Sequence, residues 1–285
     1  MTPKRIGKRQ GGSAQVIGLS IIPSGQTIVE SPDFSKRIPV NAQSQAHKSA
    51  VNATRFDCSC SVCPAYQLNL CAAMRKVYAS EADMPPAQTV PARRMICHPK
   101  DWSEFVPIIC KGWATSSILL ADGRRQILSF LLSGDVVSTA CIFGATSGRS
   151  VEAVTEVTYR KFKREDVKAA LFKTPDLLET LSQLCIEERE QADQLAIDLG
   201  RRTADERISR LILNLADKLA KRGIINGATL HFPLRHRHVA DATGLTTNHV
   251  SKVMSEFQRA RLVNIRNRSL TIINETELRH VADWR

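Results

Sequence analysis

Residues 234–259 read LRHRHVADATGLTTNHVSKVMSEFQR, and the spacing within this stretch decides the fold of the C-terminal part. A first helix would turn Val239 and Ala240 inward, and Ala240 is small enough for a second helix to cross closely. Gly244 supplies a left-handed turn position that a side chain would oppose, and Leu245 plugs the turn. Thr246 can cap the next helix by accepting from a backbone amide. Val250, Val253, Met254 and Phe257 then recur as one buried stripe. Left on the outer face are Thr247, Asn248, Ser251, Lys252 and Ser255. A short polar face with one cation suits the edges of bases in a major groove. The bland alternative, a helical hairpin with a solvated face, explains neither the glycine, cap and stripe together nor the basic segment that follows. That segment, LVNIRNRSLTII, reads as a strand-turn-strand wing with Arg266 and Arg268 at its tip, placed for backbone phosphates.

Working outward, residues 201–285 hold 16 Lys and Arg against 8 Asp and Glu, a balance of +8 within a chain total of +12. Such a field steers a domain to a polyanion and makes binding salt-dependent. Upstream, TADERISRLILNLADKLAKRG forms a helix with Ile208, Leu211, Ile212, Leu215 and Leu219 inward. Before that, a helix opens at Pro175 and Asp176 and runs to about Arg201. Leu178, Cys185, Ala192 and Leu199 repeat there at seven, interleaved with Leu181, Glu188 and Leu195. This is the pattern of a two-stranded seam with one acidic interruption; packing on the chain's own barrel is the other reading. Two facing copies of Glu188 would repel each other across such a seam.

From about Tyr78 to Phe172 the signals are strand-like. Lys111-Gly112 and Asp122-Gly123 flank WATSSILLA with hairpin spacing, RRQILSFLL follows, and Ser133-Gly134-Asp135 makes the next turn. Short strands so punctuated point to a double-sheet jelly roll. Residues 1–55, rich in Ser, Gln, Lys, Arg and Pro, read as a disordered basic extension. The expected class is α+β. A cysteine-rich arm (56–77) precedes a jelly-roll sensor domain (78–173), a dimerisation helix (174–202) and a winged helix-turn-helix (203–285).

At 285 residues there is core enough for two domains. No apolar run is long enough to span a bilayer. The basic N-terminus has no secretory apolar region, so a cytoplasmic protein without membrane contact is expected. In that compartment eight cysteines are free, metal-bound or redox-active rather than bridged. Cys58, Cys60, Cys63 and Cys71 fall within CSCSVCPAYQLNLC. A four-thiolate environment accommodates zinc or an iron–sulfur cluster. The lack of a second close cysteine pair favours the cluster, and reduced cysteines in an arm remain the plain alternative.

The order of parts resembles the CRP/FNR family of bacterial transcription regulators over roughly residues 58–274. GWATSSILLADGRRQILSFLLSGD is similar to the family's sensory barrel and VADATGLTTNHVSKVMSEF to its recognition unit. Within the family, C-x2-C-x7-C at Cys60, Cys63 and Cys71 is similar to the oxygen- or redox-sensing FNR-type branch. That resemblance implies a [4Fe–4S] cluster, a homodimer on a two-fold symmetric double-stranded promoter site, and contact with RNA polymerase. Three departures qualify it. The fourth FNR ligand is a strand cysteine, where VTEVTYRKFKRED offers Arg160; Cys141 is the first substitute, then Cys58 and Cys110. The recognition helix has Asn248, Ser251 and Lys252 where FNR proteins have Glu, Ser and Arg, so a different operator is expected. Cyclic-nucleotide members hold ribose with a Glu and phosphate with Arg-Ser. Arg149 and Ser150 fit the second half, but Thr139 replaces the Glu, so cAMP sensing is not expected.

Alternatives to a cluster-bearing regulator are a regulator whose cysteines hold zinc or nothing, a scaffold dimer without DNA, and a cupin-type enzyme. The last is disfavoured, because His98 is the only histidine between residues 78 and 172 and no phosphate loop or nucleophile elbow occurs.

Overall fold

The computed structural model describes residues 70–283, apart from 76, 79, 100–103, 145–147 and 225–227. The basic extension and Cys58, Cys60 and Cys63 of the arm lie outside the described residues. The chain enters on α1 (Leu70–Arg75), whose Leu70 and Met74 are fully withdrawn from water in the barrel core.

The barrel has two sheets. One runs β1 (Ala87–Val90), β7 (Val157–Lys163) and β3 (Phe105–Lys111) side by side; the other orders β2 (Met95–Cys97), β6 (Ser150–Ala153), β4 (Ala114–Leu119) and β5 (Arg125–Leu131). All pairs are antiparallel, as the jelly-roll expectation requires. One turn differs from the sequence reading. Asp122-Gly123 does close the β4–β5 hairpin, but Lys111-Gly112 carries the chain from one sheet to the other. Gly112 is at φ +93°, and a Cβ there would lie 2.2 Å from the Glu156 carbonyl oxygen. The glycine therefore serves a crossover pressed against the β6–β7 connection rather than a hairpin.

After β5 comes a single turn of helix, α2 (Ala140–Phe143). Its two ends carry opposite charges. Glu188 accepts from the Thr139 backbone N–H at 3.0 Å and from Thr139 Oγ1 at 2.7 Å, while Arg164 Nε donates to the Cys141 carbonyl at 2.9 Å. An anion at the start of a helix and a cation at its end both oppose the peptide dipole favourably. Arg164 opens α3 (Arg164–Lys173), and Glu188 lies midway along α4 (Pro175–Arg201).

This corrects the reading of α4 as a uniform seven-residue seam. Leu181 is buried in the barrel core, Cys185 packs against that core, and Glu188 is engaged by its own barrel instead of facing a second copy. Leu195 and Leu199 are half-buried, whereas Leu178 and Ala192 are exposed. The exposed large apolar side chains of the helix are Leu178, Ile186 and Ile197. The heptad spacing took in two faces of one helix: the barrel occupies Leu181, Cys185 and Glu188, while Leu178 and Ala192 stay exposed.

The C-terminal domain comprises α5 (Ala204–Ala220), α6 (His236–Thr243), α7 (Thr247–Arg259) and α8 (Glu275–Val281), with a three-stranded sheet ordered β8 (Thr229–His231), β10 (Ser269–Ile272) and β9 (Val263–Arg266). A capping box starts α5: Thr203 accepts from the Glu206 N–H, and Glu206 accepts from the Thr203 N–H. The expected inward residues Ile208, Ile212, Leu215 and Leu219 are buried, Leu211 less so, and Leu213 and Ala216 join them. The buried arc is wider than one stripe because α5 has two neighbours. Trp113, Ile127, Phe130 and Leu132 of the barrel share one apolar cluster with α5, α6 and α7.

Removal of the Glu188 carboxylate tests the bond to α2. Glu188→Ala strands two donors of Thr139, and should lower unfolding free energy by about 1–3 kcal/mol in a denaturant titration. Glu188→Leu should be destabilised likewise; self-association strengthened without loss of stability would mean that the carboxylate is set against a second copy after all.

Candidate nucleic-acid interface

The reading head is built as the sequence implied. Gly244 closes α6 at φ +66°, and its N–H returns to the Ala240 carbonyl. Thr246 caps α7 by accepting from the His249 N–H at 3.2 Å. Val250, Val253, Met254 and Phe257 are buried; Thr246, Thr247, Asn248, Lys252 and Ser255 are exposed, and Ser251 is half-exposed. Ser255 Oγ donates to the Ser251 carbonyl at 2.8 Å, so its hydroxyl already has an acceptor within the helix.

The wing is a two-residue hairpin. Asn267 and Arg268 sit at φ +49° and +60°, the left-handed pair that suits the twist of tight hairpins. Arg266 and Arg268 are exposed. The Phe232 N–H donates to the Arg268 carbonyl at 2.7 Å, which stitches the wing tip to the segment entering α6. Exposed Arg235, His236 and Arg237 begin that helix, and His249, Arg259 and Arg261 are exposed on and after α7. These cations were not among the residues expected from the sequence, although the run Arg235-His236-Arg237 was a visible signal. In helix-turn-helix proteins the first helix crosses the phosphate backbone, so its N-terminus is where such cations act.

Ion pairs fix the head against the barrel. Arg125 of β5 bonds Glu152 of β6 and Asp241 of α6, each at 2.7 Å, and Gln126 Nε2 donates to the Ala242 carbonyl at 3.2 Å. At the other end of β5, Asp135 accepts from Lys218 at 2.7 Å and from Arg222. Burial pushes the Asp135 carboxyl upward, but Lys218 and Arg222 outweigh it and hold the group below the usual carboxylate range.

His238 is buried behind this clasp, and its Nδ1 accepts from the Arg235 N–H at 3.2 Å. Burial, then the positive charges of Arg237 and Arg125, bring its pKa from 6.5 down to about 4. The imidazole is thus neutral in the fold and keeps its acceptor.

Cys58, Cys60 and Cys63 lie outside the described residues, and the remaining candidate ligands are separate from one another. Cys141 lies in α2 and Cys110 in β3, both buried, and each thiol donates to a carbonyl two or three residues upstream. Burial first, with the neighbouring Cys97 and Glu188 charges adding to it, pushes the Cys141 thiol up to about 12. A thiol so held is a poor source of thiolate. No three His, Cys, Asp or Glu side chains are grouped to hold a metal among the described residues. Cys71 is half-buried on α1 beside the barrel core. Arg160, in the place of the FNR-type strand cysteine, is buried on β7 and donates to the Pro85 carbonyl.

A winged helix-turn-helix fastened to a two-sheet barrel defines a DNA-binding regulator with a sensory domain. Comparison with known proteins agrees. Residues 206–281 match the Crp-like helix-turn-helix domain and residues 87–174 the cyclic nucleotide-binding domain. The nitrogen fixation regulation protein FixK of Bradyrhizobium diazoefficiens is 30% identical over 169 residues, 58% of this chain and 68% of FixK. The transcriptional activator protein FnrL of Cereibacter sphaeroides is 30% identical over 178 residues, 61% of this chain and 71% of FnrL. The structure of FixK2 from Bradyrhizobium japonicum superposes with a TM-score of 0.60 at 26% identity, covering 69% of this chain and 96% of that one. The chain belongs to the CRP/FNR family: it is a DNA-binding transcription regulator, not an enzyme. No helix among the described residues is long and apolar enough to cross a membrane.

Because His238 stays neutral in the fold while the unfolded chain titrates near 6.5, its contribution to stability is constant above that pH. It is lost as the pH falls from 6.5 toward 4. His238→Asn, which keeps an acceptor without the titration, should flatten the stability profile there by about 1.4 kcal/mol per pH unit; identical profiles would show that His238 does not carry the dependence. On a duplex selected from a random pool, Lys252→Ala should change the preferred bases, as loss of a base-edge contact does. Arg268→Ala should weaken binding to all duplexes alike and reduce the salt slope by about 1.

Proposed function

We propose that the protein works as a homodimer that presents two copies of α7 to successive major grooves of a two-fold symmetric promoter site, recruiting or obstructing RNA polymerase there. The observation carrying this is the solvated face Thr247–Asn248–Ser251–Lys252 above a buried stripe, flanked by exposed Arg266 and Arg268. One such helix reads too few bases for specificity, whereas two read a symmetric site. Exposed Leu178, Ile186 and Ile197 on α4 offer the second copy an apolar row.

The signal in this proposal is oxygen or redox state, received by an iron–sulfur centre on the arm. Cys60, Cys63 and Cys71 supply three thiolates in the FNR-type spacing. Cys58 becomes the preferred fourth donor, since Cys141 and Cys110 are buried with their thiols bonded to carbonyls. Such a centre, held wholly by arm cysteines, would supply an oxygen-labile clasp that closes the arm on Cys71 of α1. Cys71 lies on α1, and α1 packs beside α4, the helix that this proposal assigns to the dimer. A second reading, a cluster-free regulator, draws on one observation: buried Arg160 holds the Pro85 carbonyl where that branch places its ligand.

Anaerobic purification followed by iron, sulfide and absorption measurements separates the two. The cluster reading expects about four irons and four sulfides per chain, a broad visible band bleached by air, and loss of both in Cys63→Ser. A colourless protein containing zinc or no metal, with unaltered duplex binding in Cys63→Ser, would leave the cluster-free regulator. A chain that sediments as a monomer on its selected duplex would remove the dimer from either reading.

A further inference from the structure

We propose that Arg207 is the positioning residue that ties the end of α4 to the turn of the helix-turn-helix and so fixes the pitch of α7. The inference rests on the reading of this protein as a dimeric, sequence-specific DNA binder. Arg207 lies in the first turn of α5, and its guanidinium donates to three main-chain carbonyls. Nε reaches Arg202 at 2.8 Å, Nη2 reaches Leu199 at 3.0 Å, and Nη1 reaches Thr243 at 3.1 Å. Leu199 and Arg202 belong to the end of α4 and Thr243 is the last residue of α6. Final-turn carbonyls have no partner inside their own helix, and they carry the negative end of the dipole. One planar cation therefore satisfies two helix ends at once, in a fork whose donors cannot move independently.

Packing reinforces the same joint. A Cβ on Gly244 would lie 2.9 Å from Leu199 Cδ2 and 3.7 Å from Arg207 Nη1. The turn of the reading head thus rests directly on the last turn of α4. Thr246, which caps α7, follows two residues later, so a displacement of Leu199 is passed to Thr247 and Asn248 with little chain between to absorb it. Neighbouring bonds are of a different kind. Asp198 accepts from Arg202 at 2.7 Å and from Arg210 at 3.1 Å, and Gln194 accepts from Arg210 at 2.7 Å. The Arg202 pair lies within the end of α4 and the Arg210 contacts brace α4 against α5, whereas Arg207 reaches α6 as well.

The test uses the full chain, a duplex that it selects from a random-sequence pool, and a random duplex of equal length. Arg207→Ala should lose at least tenfold in affinity for the selected duplex, keep its affinity for the random one within twofold, and sediment like the parent. Arg207→Lys, a point charge without the fork, should recover only part of the loss. A specific-to-random ratio unchanged within twofold in Arg207→Ala would overturn the inference, as would an equal fall on both duplexes. If Arg207→Ala does not fold, Arg207→Lys decides: a ratio reduced threefold or more supports the joint, and a parental ratio removes it. A parent protein that selects no duplex sinks the reading of the protein itself, and this inference with it.

Discussion

Trp113, Ile127, Phe130 and Leu132 of the barrel are buried in one apolar cluster with α5, α6 and α7, separate from the cluster that fills the barrel. Each side chain of that size is worth roughly 1.5–3 kcal/mol when withdrawn from water. Partly exposed ion pairs contribute roughly 0–1 kcal/mol each. The apolar patch therefore holds the two domains together, and the Arg125–Asp241 and Asp135–Lys218 pairs at either end of β5 determine how the faces are aligned. A sheet packed on both faces reads as a nearly continuous run of buried residues, and β4 is buried at its first four positions.

Against that fixed contact, α4 is the element able to carry a displacement over distance. At 27 residues it spans about 40 Å. Its middle is held to the barrel through Glu188 and Thr139, and its end to the reading head through Leu199 and Arg207. α1 packs against the same helix that supports the Gly244 turn.

The helix-turn-helix was legible because its requirements are local. A left-handed glycine, a threonine cap three residues before the amide that donates to it, and a stripe at helical spacing are all set by neighbours in sequence. The jelly roll was legible as strands and turns, but its sheet membership was not, since Lys111-Gly112 gives the same signal for a hairpin and for a crossover. The positions assigned to the seam on α4 divide for a related reason. Heptad spacing marks residues that avoid water without saying what covers them, and Leu181, Cys185 and Glu188 are taken by the chain's own barrel. Likewise, Cys141 and Cys110 were attractive as ligands because a sequence shows a thiol but not the carbonyl that it bonds.

The cations divide by the same logic. Arg202, Arg207, Arg210, Lys218, Arg222 and Arg279 meet acids or carbonyls within the fold, so much of the C-terminal excess of charge is structural. Arg235, Arg237, Lys252, Arg259, Arg261, Arg266 and Arg268 are exposed and belong to α6, α7 and the wing. Net charge alone would have assigned all of them to a polyanion. Burial shows that the field a duplex meets comes from the second group, gathered around one helix face, while the first group holds that face in position.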